Sequence, residues 1–267
     1  MSFSISGKTA IVTGAANGVG LAIGRHFAQQ GANVVFADMD EQALYAEMGE
    51  AHEKQENIRV FSGDLRKKLT ITNLLSTTID AFDRVDILVN ASRQILKTAP
   101  LDPDDNSLEE LLQQNTLTAF RVSQAVARKM IKQANAENVQ QTGTIINISS
   151  IAARRTHPDL LAYSVSSAAL DQLTRSMAVA LATSGIRVNA VSFGSVMSAS
   201  LKGSLQDSDE DRDDIVENTP LHRIASASEV SDAVQYLASD AASFVTGQVI
   251  TVDGGRTLLD PAGVSCH

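Results

Sequence analysis

Two rhythms of apolar residues alternate along the chain. Short runs that are apolar throughout and rich in Val and Ile occupy positions 9–12, 33–37, 58–61, 86–89, 144–148, 187–191 and 248–252. Between them apolar residues recur every three to four positions, which predicts helices over 18–30, 40–54, 66–82, 107–134, 160–184 and 227–239, the fifth bracketed by Pro158 and Gly185. A half-exposed strand would alternate apolar and polar residues; runs without that alternation belong to strands covered on both faces. The pattern therefore predicts an α/β fold: a doubly wound parallel seven-stranded sheet with helices on both faces, its first six strands joined by right-handed crossovers. No repeat or low-complexity linker interrupts it. A chain of 267 residues with 43% hydrophobic content can close around one core, so 1–267 reads as a single domain.

In such sheets ligands bind beyond the carboxyl ends of the strands. The first run ends in Thr13-Gly14-Ala15-Ala16-Asn17-Gly18-Val19-Gly20. Glycines let the chain turn sharply and bring bare backbone N–H groups against a diphosphate, whose charge the following helix N-terminus favours. The second run ends in an acid, Asp38, eighteen residues past Gly20. A carboxylate there accepts hydrogen bonds from both ribose hydroxyls of NAD and repels the 2′-phosphate of NADP. Strand, glycine loop, helix, strand and acid in this order predict a Rossmann-type site for NAD. Polar or glycine-containing segments follow the later strands as well: Gly63-Asp64-Leu65, Asn90-Ala91-Ser92-Arg93, Ser149-Ser150 and Phe193-Gly194-Ser195-Val196-Met197-Ser198.

Composition narrows the partners. The formal net charge of −9, without a clustered basic patch, argues against nucleic acid and against an anionic membrane surface. No apolar run approaches the ~18 to 20 residues that cross a bilayer, and the N-terminus lacks the charged and apolar regions of a signal peptide, so the expected location is the cytoplasm. The lone Cys266 supports neither a disulfide framework nor a cysteine metal site, and the five histidines show no ligand spacing. The acidic stretch from Asp207 to Asp214 begins like a calcium loop, yet has Arg212 at the sixth position and Asn218 at the twelfth, where glycine and glutamate are needed. It reads instead as part of a solvated lid over about 195–220.

Taken together, these segments resemble the short-chain dehydrogenase/reductase family from about Lys8 to Gly255. The similarity is carried by the glycine loop, Asp64, Asn115, Ile145-Ile146-Asn147-Ile148-Ser149-Ser150, Tyr163 thirteen residues after Ser150, Ile186-Arg187-Val188-Asn189-Ala190-Val191, and Thr246-Gly247 through Val252-Asp253-Gly254-Gly255. The resemblance implies a nicotinamide-dependent oxidoreductase that interconverts a small alcohol and a carbonyl. Ser150 would hold the carbonyl oxygen, Tyr163 would exchange a proton with it, and Asn115 would order a water in the proton relay. The cofactor would lie on Gly14, Asn17, Gly18, Val19 and Gly20, on Asp38, on Asp64 and Leu65 near adenine, and on Asn90, Ala91 and Ser92. Tyr163, the position of Ser167, Gly194 and the backbone near Val196 would meet its nicotinamide half. The chemistry is sound in itself, since hydride transfer leaves an alkoxide that needs a hydrogen-bond donor and a proton source, and two hydroxyls can supply both. Apolar residues around more than one face of the later helices, among them Leu160, Leu161, Val165, Leu170, Leu173, Met177 and Val179, suggest subunit contacts, and the resemblance implies a homotetramer or homodimer.

The chain departs from the family in three places. The family carries a lysine four residues after the tyrosine, on the same helical face; here that residue is Ser167. At ~4 Å and an effective dielectric near 20 a unit charge contributes on the order of 4 kcal/mol. Alcohol oxidation needs tyrosinate as base, so the loss should cost on the order of a thousandfold, whereas carbonyl reduction needs only the protonated phenol. The expectation is an enzyme that is slow or biased to reduction. The alternative is a degenerate member that binds NAD as a sensor or structural partner subunit. Secondly, the family's Asn-Asn-Ala-Gly reads Asn90-Ala91-Ser92-Arg93, and Arg93 either reaches the ribose or substrate edge and partly replaces the ammonium, or faces solvent and reshapes the loop. Thirdly, Phe193 stands where proline is usual, which should loosen the substrate loop.

Overall fold

The computed structural model describes residues 3–49, 55–137, 141–197 and 209–260. Seven strands form one sheet in the order β3-β2-β1-β4-β5-β6-β7, with β1 Thr9–Thr13, β2 Asn33–Asp38, β3 Ile58–Ser62, β4 Ile87–Asn90, β5 Gly143–Ser150, β6 Ile186–Phe193 and β7 Val249–Val252. Every neighbouring pair is parallel. Successive residues of a strand point to opposite faces, and both faces are buried. Ala10, Val12, Val34 and Phe36 pack against Ile23 and Phe27 of α1 (Gly18–Gln29) and Val230, Val234 and Leu237 of α8 (Ala227–Ala238). Ile11, Val35, Leu88, Ile145 and Val188 pack on the other face against α3 (Lys68–Phe82), α5 (Thr118–Glu137) and α6 (Leu161–Leu181), through Leu74, Val126, Met130 and Met177. Each fully buried Leu, Ile or Phe contributes about 1.5 to 3 kcal/mol. This two-sided burial is why the runs lack alternation.

The helices depart from the periodicity in three places. α2 spans Glu41–Met48, because Gly49 turns the chain at φ +50; positions 50–54 of the predicted helix lie outside the described residues. The helix predicted over 107–134 consists of α4 (Ser107–Leu111), a π turn (Leu112–Leu117) and α5. The Thr118 hydroxyl donates to the Gln113 carbonyl at 2.8 Å, and the Thr116 hydroxyl donates to the Ser166 carbonyl of α6 at 3.0 Å, so side chains stabilise the wider turn. A further helix, α7 (Asp209–Glu217), forms within the acidic segment read as a solvated lid. Residues 198–208 of that lid and Cys266 lie outside the described residues. None of the described helices is long and apolar enough to cross a membrane, and no cluster of metal-binding side chains occurs among the described residues.

Candidate active site

The strand order reverses between β1 and β4, and a crevice of ≈ 1030 Å³ opens beyond their carboxyl ends. Gly14, Asn17, Gly18, Val19 and Gly20 form one wall, Asp38 another, and Ala91 and Ser92 a third. Gly14 has φ +65, and a Cβ there would stand 2.6 Å from the Ser92 Cα, so only glycine fits between the ends of β1 and β4. Thr13 Oγ1 fixes that approach by accepting the backbone N–H groups of Ala91 at 3.1 Å and Ser92 at 3.2 Å. α1 has no acid in its first turn, and the Asn17 side chain does not cap it. Its first N–H groups therefore suit an anion.

Asp38 is anchored through both carboxylate oxygens, accepting the N–H of Ala16 at 2.9 Å and of Asp40 at 3.0 Å. α2 has its own cap, Asp40, which accepts the N–H of Ala43. Asp38, Asp64 and Leu65 line a small hollow next to the crevice. Arg66 grips Asp64 with two N–H groups at 2.8 and 3.1 Å, and this bond holds the Asp64 carboxyl below its ordinary range against the opposing effect of burial. Asn90 has a different setting. Its side chain is buried, donating to Ser123 Oγ at 2.9 Å and Asn147 Oδ1 at 2.8 Å, while Asn147 donates to Thr174. It knits the sheet to α5 and α6. Gly194 donates to the Val252 carbonyl, and buried Val196 forms an isolated bridge with Ala225.

Ser150 ends β5, and Tyr163 lies in the first turn of α6. The short 3-10 turn Ile151–Ala153 follows Ser150, and its Ala152 shares a buried apolar cluster with Ala162, Tyr163 and Leu111. Ser150 Oγ accepts the N–H of Ala152 at 3.2 Å. Tyr163 Oη accepts from Arg93 Nη1 at 2.9 Å. Both hydroxyl oxygens are thus held by a donor, and a hydroxyl that accepts one bond can still donate another. Ser167 is buried one turn after Tyr163 on the same helix. Arg93 also stacks on Phe193, its guanidinium carbon 4.3 Å from the ring centre.

Asn115 lies in the π turn. Its Oδ1 accepts the N–H of Gln94 at 2.8 Å, and its Nδ2 donates to the Gln94 carbonyl at 3.0 Å and to Ser166 Oγ at 3.2 Å. Its neighbour Gln114 donates to Ser92 Oγ at 2.9 Å and also lines the crevice. The π turn therefore clamps the loop after β4 on both sides of Arg93. Gln114 and the stacking role of Phe193 carry no local mark in the sequence, since both depend on which loop faces them.

A family model described as Enoyl-(Acyl carrier protein) reductase matches residues 14–257. The 3-oxoacyl-(acyl-carrier-protein) reductase of Thermotoga maritima is 30% identical over 254 residues, which cover 95% of this chain and 99% of that one. A gluconate 5-dehydrogenase from Burkholderia cenocepacia, solved in complex with NADP and tartrate, superposes with a TM-score of 0.84 at 30% identity, covering 97% and 98% of the two chains. A 7α-hydroxysteroid dehydrogenase complexed with NADH and 7-oxo glycochenodeoxycholic acid superposes with a TM-score of 0.85 at 30% identity, covering 95% of each. With the crevice, the hydroxyl pair and matches over nearly its whole length, the chain belongs to the short-chain dehydrogenase/reductase family of oxidoreductases.

Proposed function

We propose that the protein is an NAD(H)-dependent oxidoreductase that interconverts a small alcohol and a carbonyl, working mainly towards reduction. The observation that carries this reading is the presence of two hydroxyls, Ser150 and Tyr163, each with its oxygen held by a donor. A degenerate, purely binding member would have no use for such a pair. When bound, a nicotinamide supplies or accepts the hydride. The residues of the chain do the rest. The Ser150 hydroxyl donates to the carbonyl oxygen and draws charge from its carbon, and Tyr163 passes its proton to the same oxygen as the alkoxide develops. Reduction needs only the protonated phenol.

Asp38 supports NAD over NADP, because its anchored carboxylate lines the crevice and would repel a 2′-phosphate. Arg66, the nearby cation, is already occupied by Asp64. The proposed unit is a single domain whose substrate lid covers about 195–220, assembled as a dimer or tetramer through the exposed face of α6.

The test combines binding and turnover. NADH should bind more tightly than NADPH in a fluorescence titration, and the protein should reduce members of a panel of small ketones and aldehydes. Tyr163→Phe should lower that turnover by about 100-fold or more while cofactor affinity stays within a few fold. Tight NADH binding with no turnover on any carbonyl would favour the sensor or structural-subunit reading.

A further inference from the structure

Three departures from the family pattern, far apart in sequence, bear on one side chain, Tyr163. Ser167 removes a cation one helical turn after Tyr163, Arg93 brings one to the Tyr163 oxygen at 2.9 Å, and Phe193 lies beneath that guanidinium at 4.3 Å. We infer that Arg93, stacked on Phe193 and bonded to Tyr163, is the cation that holds the tyrosinate left after proton transfer, and that Phe193 and Asn115 are the residues that position it. The inference rests on the oxidoreductase reading and deepens it.

An arginine on a loop ordinarily samples many rotamers and loses that freedom only where contacts compensate. Here the backbone is gripped first. Asn115 binds both the N–H and the carbonyl of Gln94, and Gln114 binds the Ser92 side chain, so the residues on either side of Arg93 are tied to the π turn. Ser166, which receives the second Asn115 donor, itself donates to the Tyr163 carbonyl at 3.1 Å. One short network therefore sets the loop of Arg93 relative to the helix of Tyr163. Phe193 then fixes the side chain, since a guanidinium within about 6 Å of an aromatic face is attracted by it. Only a planar fork can lay its face on a ring and aim an N–H at an oxygen together; an ammonium cannot. The pairing of arginine with phenylalanine at two altered positions follows from that geometry.

The step balances. In reduction a C–H bond forms at the carbonyl carbon as the dihydronicotinamide is oxidised, and the O–H bond of Tyr163 breaks as its proton passes to the substrate oxygen. The tyrosinate then accepts the Arg93 N–H until solvent returns a proton. Among the described contacts Arg93 is the charged group bonded to Tyr163. Ser150 from β5, Asn115 from the π turn, and Ser166 and Ser167 from α6 are neutral. Asp38, Arg66, Glu109 and Glu110 line the adjoining crevice, and Lys97 faces Asp159 at 3.9 Å ahead of α6. Arg93 stays exposed on its outer side, so water screens it and it replaces a buried ammonium only in part. The site therefore keeps its bias towards reduction.

The coupling can be read without substrate, from the near-ultraviolet absorbance of tyrosinate in a pH titration of the free protein. The chain has three tyrosines and no tryptophan, and Tyr163→Phe identifies which part of the signal belongs to Tyr163. Arg93→Gln should move that part to higher pH, since the tyrosinate loses its opposite charge. Phe193→Leu should move it the same way, Arg93→Lys should move it less than Arg93→Gln, and Ser167→Lys placed in the Arg93→Gln protein should reverse the shift. An unmoved transition in an Arg93→Gln protein that circular dichroism shows to be folded overturns the assignment. Should that variant not fold, Phe193→Leu makes the same comparison, and an unmoved transition there has the same force. A shift in a protein that reduces no carbonyl overturns the oxidoreductase reading and leaves Arg93 on Tyr163; turnover with an unmoved transition does the reverse.

Discussion

At the residue scale, the proposed preference for NAD rests on one carboxylate. Asp38 is held by two backbone N–H groups, so it keeps its place at the crevice wall without a ligand. Asp38→Asn removes the charge and one acceptor while keeping the shape. Hydrogen bonds to charged groups contribute about 1.5 to 3 kcal/mol, so NADH affinity should fall by roughly 10- to 100-fold and the preference over NADPH should narrow. Parallel fluorescence titrations with the two nucleotides measure this; an unchanged ratio would assign the discrimination to another group. Asp38 was legible in the sequence because a strand and the acid that closes it are adjacent. The same is true of Gly14, Ser150 and Tyr163, each of which sits at a strand end or at a fixed spacing from one. The contact of Arg93 with Tyr163 was foreseeable only as one of two options. Seventy positions separate the residues, and the direction of a loop side chain is decided by what packs around it.

At the scale of elements, the strands follow the apolar runs within a few residues, because burial on both faces leaves an unbroken signal. The π turn leaves none: adding one residue to a turn shifts the apolar stripe by less than the stripe is wide. α7 escaped for a different reason, since acids at most positions of Asp209–Glu217 hide any periodicity. The start of α8 is a better-marked element. Ser226 and Glu229 form a reciprocal capping box, and Arg223 grips Glu229 at 2.6 and 2.8 Å. Chiefly through the Arg223 bond, the Glu229 carboxyl is lowered to about 2 from 4.5. A depressed folded value means that the stabilisation is complete above the unfolded value and is lost as pH falls through the folded one. Glu229→Gln keeps an acceptor for the capping box and removes only the charge, so it should cost at most about 1 kcal/mol at neutral pH, the range of an exposed ion pair. Thermal melts of both proteins should differ above about pH 4.5 and converge towards pH 2. A constant difference across that range would show that shape, not charge, is at work.

The whole molecule buries one face of α6 and exposes the other. Tyr163, Ser167, Leu170 and Met177 lie inside, whereas Leu161 and Val165 are each about 40% exposed and Val179 is 81% exposed. Leu161 and Val165 are one turn apart, on the side of the helix opposite Tyr163. Helices with a second apolar face tend to meet a symmetric copy, since a two-fold axis lets one patch complement itself. The proposed dimer or tetramer would bury this face. Charging both positions with Leu161→Asp and Val165→Asp would place carboxylates in an apolar contact, at a cost that exceeds what such a contact returns. Sedimentation velocity should then show the wild-type chain as a dimer or tetramer and the double variant as a smaller species with unchanged circular dichroism. Turnover should fall with assembly, because the helix that aims Tyr163 at its substrate would lose the support on its far side. A wild-type chain that sediments as a monomer at micromolar concentration removes the assembly; a dissociated variant with full turnover would show that the sheet and the π turn alone hold the tyrosine in place.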